Sequence, residues 1–528
     1  MTAPLHLVWF KRDLRIVDHA PLAEACLRGP VLPLFAWEPS VIQAEDYAKQ
    51  HQAFAMECLQ ELAVELEKLG LSLLEWPSGI VDALEHISQR YPIAGIWSHE
   101  ETGNDATFAI DKAVAYWCKS KGVIWNELPQ HGVVRRLRDR DHWHKVWEQR
   151  MQQPLVQIPI QVIAAPKISP PTLPIPFARG EDKPNRQPGG RRHGMKLFQH
   201  FIEGRAVNYR GNISSPLTAV RSCSRLSPYL AWGCLSMREV VQKSRARKAE
   251  LKLLGQDTKR LCAGLTAFES RLHWHCHFIQ KLESEPALEF YNLHHAYDGL
   301  REDSLPAVEH ARRLDAWARG QTGWPLVDAC MAMLRETGWL NFRMRAMLMS
   351  TASYLYWLHW REPGLHLARE FLDYEPGIHW PQVQMQSGTT GINTLRMYNP
   401  VKQAIDQDPQ GRFVRHWLPQ LKDVPNAWIF QPWLMPKLLQ KKAGCIIDVD
   451  YPSPLVNIDD AMRLARAKLS VIRQDAATRV EARKVVKKHG SRKMMPGSQR
   501  DAGGKEQPTK RERKQTGPMR DSRQQELF

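Results

Sequence analysis

HQAFAMECLQELAVELEKLGLSLLEW, residues 51–76, changes its period at a glycine. From His51 to Leu69 apolar residues recur every three or four positions, the spacing of one buried helix face, and Gly70 supplies a stop. LSLLEW, 71–76, then follows as a short apolar run of strand length. The alternation extends both ways: LHLVWF (5–10) and VLPLF (31–35) precede it, AGIWSH (94–99) and GVIWNEL (122–128) follow. Short apolar runs separated by helical patterns predict an α/β domain with a parallel sheet, Rossmann or flavodoxin-like, over 1–130. No G-x-G-x-x-G follows the first run, so a standard dinucleotide-binding unit is not expected.

Beyond this domain the pattern changes. Nine prolines fall between 151 and 195, which predicts a long connector over 131–195. After 196 strand signals disappear and Trp- and Met-rich helical patterns run to about 425, predicting an all-α domain (196–425) with a helical appendix at 426–485. A chain of 528 residues is too long for one ordinary core and long enough to bury a large cofactor. Nine cysteines without a C-x-x-C pair read as reduced thiols, and charges arrive by Lys11 and Arg12, so no secretory leader is expected. No window approaches 18 uncharged apolar residues, and a cytoplasmic protein without a membrane span is expected. The net charge is +17, with 17 Lys and Arg against 7 Asp and Glu between Lys468 and Phe528. Residues 486–528, poor in aromatic and branched side chains, read as a disordered basic tail that serves either solubility or an anionic partner.

In SCSRLSPYLAWGCLS, 222–236, Ser227 followed by Pro228 reads as a helix cap with free backbone N–H groups ahead of it. With Ser222, Ser224 and Arg225 it forms a candidate phosphate site, although a Ser-Pro cap is often only a cap. Residues 322–360 carry aromatic and Met side chains at helical spacing, with Arg343 and Arg345 inserted. LDYEPGIHW adds Asp373, Glu375 and His379. An Arg, two acids and many planar groups suit a large planar cofactor with polar edges; the plainer alternative is a buried helix pair with snorkelling arginines.

Four motifs, WFKRDLRIVDHAPL (9–22), SRLSPYLAWGCLS (224–236), AWARGQTGWPLVDACMAMLRETGW (316–339) and RMYNPVKQAIDQDPQGRFVRHWLPQL (396–421), resemble the DNA photolyase and cryptochrome family, in its order and over residues 1 to about 425. The resemblance implies an α/β antenna domain, a long linker and a helical domain holding FAD. It places Tyr209, Cys223, Ser224, Arg225, Leu226 and Ser227 at FAD-contacting positions, the last five at the flavin phosphates with Cys223 in place of Thr. Asp373 and Arg345 match an ion pair beside the isoalloxazine, and Glu375 replaces a second Asp. Trp317 and Trp360 match two members of a tryptophan electron-transfer chain. Val383 stands where the third is expected, leaving Trp380, or Tyr354, Tyr356 and Trp357, as other routes. The antenna could be a folate, a deazaflavin, a second flavin or nothing.

The lesion side departs from that pattern. Aligning RLHWHCHF (271–278) on Trp274 keeps the aromatic expected against a flipped dimer but puts Arg271 where Glu is usual and His275 at a flavin-contacting Arg position; a shift of two restores Glu269 and loses the Trp. Phe342 stands at a flavin-contacting Asn position, Ala346 in place of Met and Met385 in place of a second Trp. The paired histidines of (6-4) photolyases are absent, with Asn341 and Ala346 at their places. His379 replaces the Asn facing flavin N5, and Arg343 is a DNA-contacting cation. The implied catalytic set is Trp274, Arg271 and His379. His273, His275, Cys276 and His277 have no second ligand pair with metal-like spacing, so neither a metal nor an iron-sulfur cluster is expected. Two readings stay open: a light-driven repair enzyme acting on damaged DNA, or a cryptochrome-type photoreceptor with a signalling partner.

Overall fold

The computed structural model describes residues 3–255, 258–302 and 304–491. Strands β1 (Leu5–Phe10), β2 (Pro30–Ala36), β3 (Leu74–Trp76), β4 (Ile93–His99) and β5 (Ile124–Leu128) form a parallel sheet of order β3-β2-β1-β4-β5. Period-2 alternation divides its side chains. Leu5, Leu7 and Trp9 of β1 join one core with Ile80, Leu84 and Val114, whereas Val8 and Phe10 join another with Phe54, Leu59 and Leu62. Both faces are therefore covered, which is why the strands read as near-continuous apolar runs. The order reverses between β1 and β4, the Rossmann arrangement rather than the flavodoxin one.

The connector is more structured than its prolines predict. A helix, Trp143–Gln152, buries Trp143, Trp147 and Met151, spaced i, i+4 and i+8. A two-residue strand β6 (Ile163–Ala164) pairs with the first half of β2, in line with β3 on the second half. Residues 1–490 accordingly cluster as one unit. The helical part has its own core of Trp317, Trp324, Met331, Met347 and Trp360 with their neighbours. The appendix forms a short helix, Lys437–Lys442, and two longer ones, Ile458–Gln474 and Ala476–His489; the last runs four residues past the expected boundary at 485, and most of the expected basic tail lies outside the described residues.

The largest correction concerns the Ser-Pro cap. The helix spans only Ser227–Ala231, its N-cap is Leu226 and no side chain caps it. Gly233, at φ +62°, stops it at once. That stop is tertiary in origin, because a Cβ on Gly233 would lie 2.2 Å from the Arg12 carbonyl oxygen and 2.5 Å from the Asp13 Cα. Around this approach Leu14 N–H donates to the Trp232 carbonyl at 3.1 Å and Arg15 to the Gly233 carbonyl at 2.8 Å. The end of β1 is thus joined to the helical part by main-chain contact.

Gly233→Ala should cost about 3 kcal/mol, combining left-handed strain with a backbone clash. Gly444→Ala, at φ +61° with nothing within 4 Å of its Cβ, should cost only ~1 kcal/mol. Urea unfolding midpoints of the two variants check the difference.

Candidate functional site

Two helices present matching stripes to a partly open cavity. Phe342, Arg345, Ala346 and Met349 come from Phe342–Ser350, and His379, Gln382, Val383 and Gln386 from Pro376–Ser387. Each set is spaced i, i+3, i+4, i+7, one helix face. Asp373, Tyr374 and Glu375 cross one end; Ser227 and His275 complete the wall. Phe342 is 40% exposed, so the cavity reaches the surface there.

Arg345 grips Asp373 through both terminal nitrogens at 2.9 Å, donates from Nε to the Leu340 carbonyl at 2.6 Å and stacks 4.0 Å from the Phe371 ring centre. Burial alone would raise the Asp373 carboxyl; Arg345 and the Ser227 hydroxyl outweigh it and hold the group below the usual carboxylate range. Glu375 faces the other way, 3.2 Å from Arg12, and burial raises it against the pull of that cation. The sequence-expected pair of acids therefore divides its work: Asp373 pairs within the cavity, while Glu375 pairs with the end of β1.

Behind Ser227 the loop is cation-rich. Arg205 donates to the Cys223 carbonyl at 3.0 Å, and Arg225, at φ +63°, donates from Nε to Gln187 at 2.8 Å and stacks 4.0 Å from the Trp339 ring centre. Arg271 lies close enough to the Tyr209 phenol to act on its acidity. Burial pushes the Cys223 thiol up to about 11 despite the fields of Arg225, Arg205, Arg345 and Arg271, and pushes Arg225 down to about 10. Four guanidinium groups thus influence one residue, and the nearest acid, Asp373, is already committed to Arg345. Gln382 Oε1 and both ends of the buried Gln386 amide have no protein partner. A cation cluster short of anions beside a cavity with unsatisfied amides fits a ligand with a diphosphate and a polar-edged ring.

The sequence-expected residues do not all meet. Ser227, His275, Phe342, Arg345, Asp373, Glu375 and His379 line the cavity; Tyr209, Cys223, Ser224, Arg225 and Leu226 lie in and beside the cation loop. Trp274 stacks on Phe278 at 5.6 Å and meets His277 edge to face at 4.9 Å, and is not among the residues that line the cavity. Glu269 is held by Arg245 at 2.7 Å and Lys248 at 2.9 Å, so the shifted register brings no acid to the cavity. Trp380 and Trp360 meet edge to face at 5.9 Å. Trp317 is fully buried, with its indole donating to the Leu348 carbonyl at 3.0 Å. Tyr356 packs on Trp324, and Trp357 lies between Arg301 and Lys468, which together with Tyr354 keeps all three off the cavity wall. Arg343 lies 3.5 Å from Gln403.

The histidine run does not converge: His273 meets His144 at 3.1 Å, His277 meets Arg140 at 2.5 Å, and His275 faces the cavity. Among the described residues one cluster has metal-ligand chemistry, Asp13 with His19 and His99. Its geometry is that of a hydrogen-bonded triad, at 2.9 and 2.7 Å, pinning the end of β1 to the end of β4. Sequence reading missed Tyr374, Gln382 and Gln386; the last two share a helix face with His379, a signal that was available.

A second cavity opens at the carboxyl ends of β1 and β2. Phe35, Trp37 and Tyr47 give it aromatic walls; Lys11, Arg12 and Glu38 give it charge. Burial pushes Glu38 up to about 7. Ligands of open α/β sheets bind in such a crevice.

The DNA photolyase family matches residues 6–140 and the FAD binding domain of DNA photolyase matches 268–471. The chain is 27% identical over 497 residues to cryptochrome DASH of Synechocystis sp., covering 88% of this chain and 97% of that one. It is 28% identical to the deoxyribodipyrimidine photo-lyase of Salmonella typhimurium, covering 86% and 96%. The crystal structure of a Synechocystis sp. cryptochrome superposes with a TM-score of 0.77 at 25% identity, covering 88% and 99%. A parallel-sheet domain joined to a helical FAD-binding domain defines a photolyase-type flavoprotein. The chain belongs to the photolyase/cryptochrome family, and FAD is the cofactor of its helical domain.

His379 Nε2 lies 2.8 Å from the Gly364 carbonyl, which can only accept, so Nε2 carries the proton and Nδ1 is left as an acceptor. Burial lowers its pKa to about 4 from the usual 6.5. Between those values the unfolded chain binds a proton that the folded chain refuses, so stability falls as pH falls. Replacing His379 with Asn should flatten the loss of apoprotein stability between pH 8 and pH 5 by ~2 kcal/mol, read from urea unfolding at the two pH values.

Proposed function

We propose that the protein is a deoxyribodipyrimidine photo-lyase acting in the cytoplasm on DNA that carries pyrimidine dimers. When bound, reduced FAD would supply a light-driven electron to the dimer. In this reading Arg205, Arg225 and Arg271 hold the diphosphate, and the Arg345–Asp373 pair sets the cation beside the ring. His379 offers Nδ1 as an acceptor to the ring edge and, neutral at pH 7, adds no second positive charge there. Leu367, Phe371 and Met349 exclude water from the rest of the wall. The observation that carries the reading is the cavity together with the cation-rich surroundings of Cys223 beside it: amide-lined along its face and opening beside Phe342, in a chain with a net charge of +17. The basic surface would attract DNA phosphates, with Arg343 as one contact and the C-terminal residues as another. The cavity at the ends of β1 and β2 is the proposed place for an antenna chromophore with a flat aromatic body. No helix among the described residues is long and apolar enough to cross a membrane.

One observation favours the photoreceptor reading instead. Neither acid on the cavity wall is free to serve a dimer, since Asp373 and Glu375 each pair with an arginine, while Glu269 is salt-bridged away and position 271 carries an arginine. In that reading a signalling partner would respond to the flavin's redox state.

Blue light on the reduced, FAD-loaded protein should remove dimers from oligonucleotides carrying cyclobutane or (6-4) lesions, assayed by chromatography. Normal flavin photochemistry with neither lesion lost would leave the photoreceptor reading. Deleting 491–528, which holds ten Lys and Arg against five Asp and Glu, should weaken DNA binding and flatten the plot of log K against log salt. An unchanged slope would show that this segment contacts no phosphates.

A further inference from the structure

Tyr374 lines both cavities and is the wall between them. Its phenol donates to Asp46 Oδ2 at 2.5 Å, and Asn104 Nδ2 donates to the same oxygen at 3.0 Å, which fixes the carboxylate. The Tyr374 ring meets His379 edge to face at 5.2 Å. On its other side the Trp380 indole lies near enough to act on the phenol's acidity, without a hydrogen bond of ordinary geometry. Trp380 in turn meets Trp360. The position from which a proximal indole would reach the cavity is Val383, which has no π-system. An oxidisable ring therefore fronts the cavity at Tyr374, with a proton acceptor in contact and two indoles behind it.

We propose that Tyr374 is the residue that gives the first electron to the light-excited flavin, with Asp46 taking its proton. The assignment rests on the cavity being the flavin site. One electron leaves the Tyr374 ring for the flavin, and the phenolic proton crosses to Asp46 Oδ2, leaving a neutral tyrosyl radical and a carboxylic acid. Removing the proton as the electron departs avoids a cationic phenol in a buried site, where an unpaired charge is costly. Trp380 and then Trp360 return an electron to Tyr374, Asp46 returns the proton, and an external thiol supplies both to the chain. The base comes from the α/β domain and the ring from the helical domain, so the donor is complete only when the two are joined.

The test illuminates oxidised, FAD-loaded full-length protein in dithiothreitol. Flavin bleaching should slow at least tenfold in Tyr374→Phe. Asp46→Asn should also slow it and abolish the solvent deuterium effect. Freeze-quenched samples of the parent should give the electron paramagnetic resonance signal of a tyrosyl radical, longer lived in Trp380→Phe and absent in Tyr374→Phe. Bleaching of Tyr374→Phe within twofold of the parent, or a tryptophanyl signal alone, overturns the assignment. If Tyr374→Phe does not fold or take up FAD, Asp46→Asn decides, and an unchanged rate and isotope effect overturn it. A parent that takes up no FAD shows no flavin absorbance, and then the reading of the cavity itself has failed.

Discussion

Arg12 holds the two halves of the molecule in register. It leaves the end of β1, crosses the seam and meets three acceptors of the helical part: the carbonyls of Ala231 and Tyr374, each at 2.9 Å, and the Glu375 carboxylate at 3.2 Å. A half-buried guanidinium with three fixed acceptors on the far side of the seam tolerates little displacement. Its grip on residues 374 and 375 fixes the short run 373–375, which begins in the turn closed by the Tyr374 N–H donating to the Phe371 carbonyl at 3.1 Å. Asp373 points to Arg345, Tyr374 to Asp46 and Glu375 back to Arg12. The cavity, the wall between the cavities and the domain seam therefore depend on one short stretch of backbone.

The same economy of acids explains the electrostatics. Arg345 satisfies Asp373, which leaves Arg205, Arg225 and Arg271 to neutral partners: backbone carbonyls, Gln187 and the Tyr209 phenol. Such cations are held against desolvation and mutual repulsion, and Arg225 adds a left-handed backbone. Strain and unpaired charge gathered in one loop are expected where a bound anion relieves them. That is the physical content of the FAD assignment, independent of the family match.

Much of the fold was legible. The runs from LHLVWF to GVIWNEL each became a strand because their two faces are covered, and Gly122 lies in the left-handed cap that ends the helix before β5. What escaped was tertiary. Ser227 and Pro228 carry every local sign of a helix start, yet the helix ends after five residues because Gly233 must admit the Arg12 carbonyl. Trp143 and Trp147 lie among connector residues, and only their burial shows that they anchor it. Tyr374 stood unnoticed between two acids that matched a motif, since its partner is 328 positions away.

Arg271 shows how the proposed flavin site and the lesion side trade against each other. A carboxylate at 271 would project from the same helix stripe as His275 towards Tyr209 and Cys223, where Arg205 and Arg225 already gather. It would neutralise cations that a diphosphate needs. A guanidinium there does the reverse, adding a planar, always-charged donor to the anion side while contributing no acid to a dimer. The substitution therefore strengthens the proposed grip on the cofactor and weakens the usual chemistry at the lesion. In the repair reading, cofactor retention and chemistry at a lesion are therefore coupled through this one helix position.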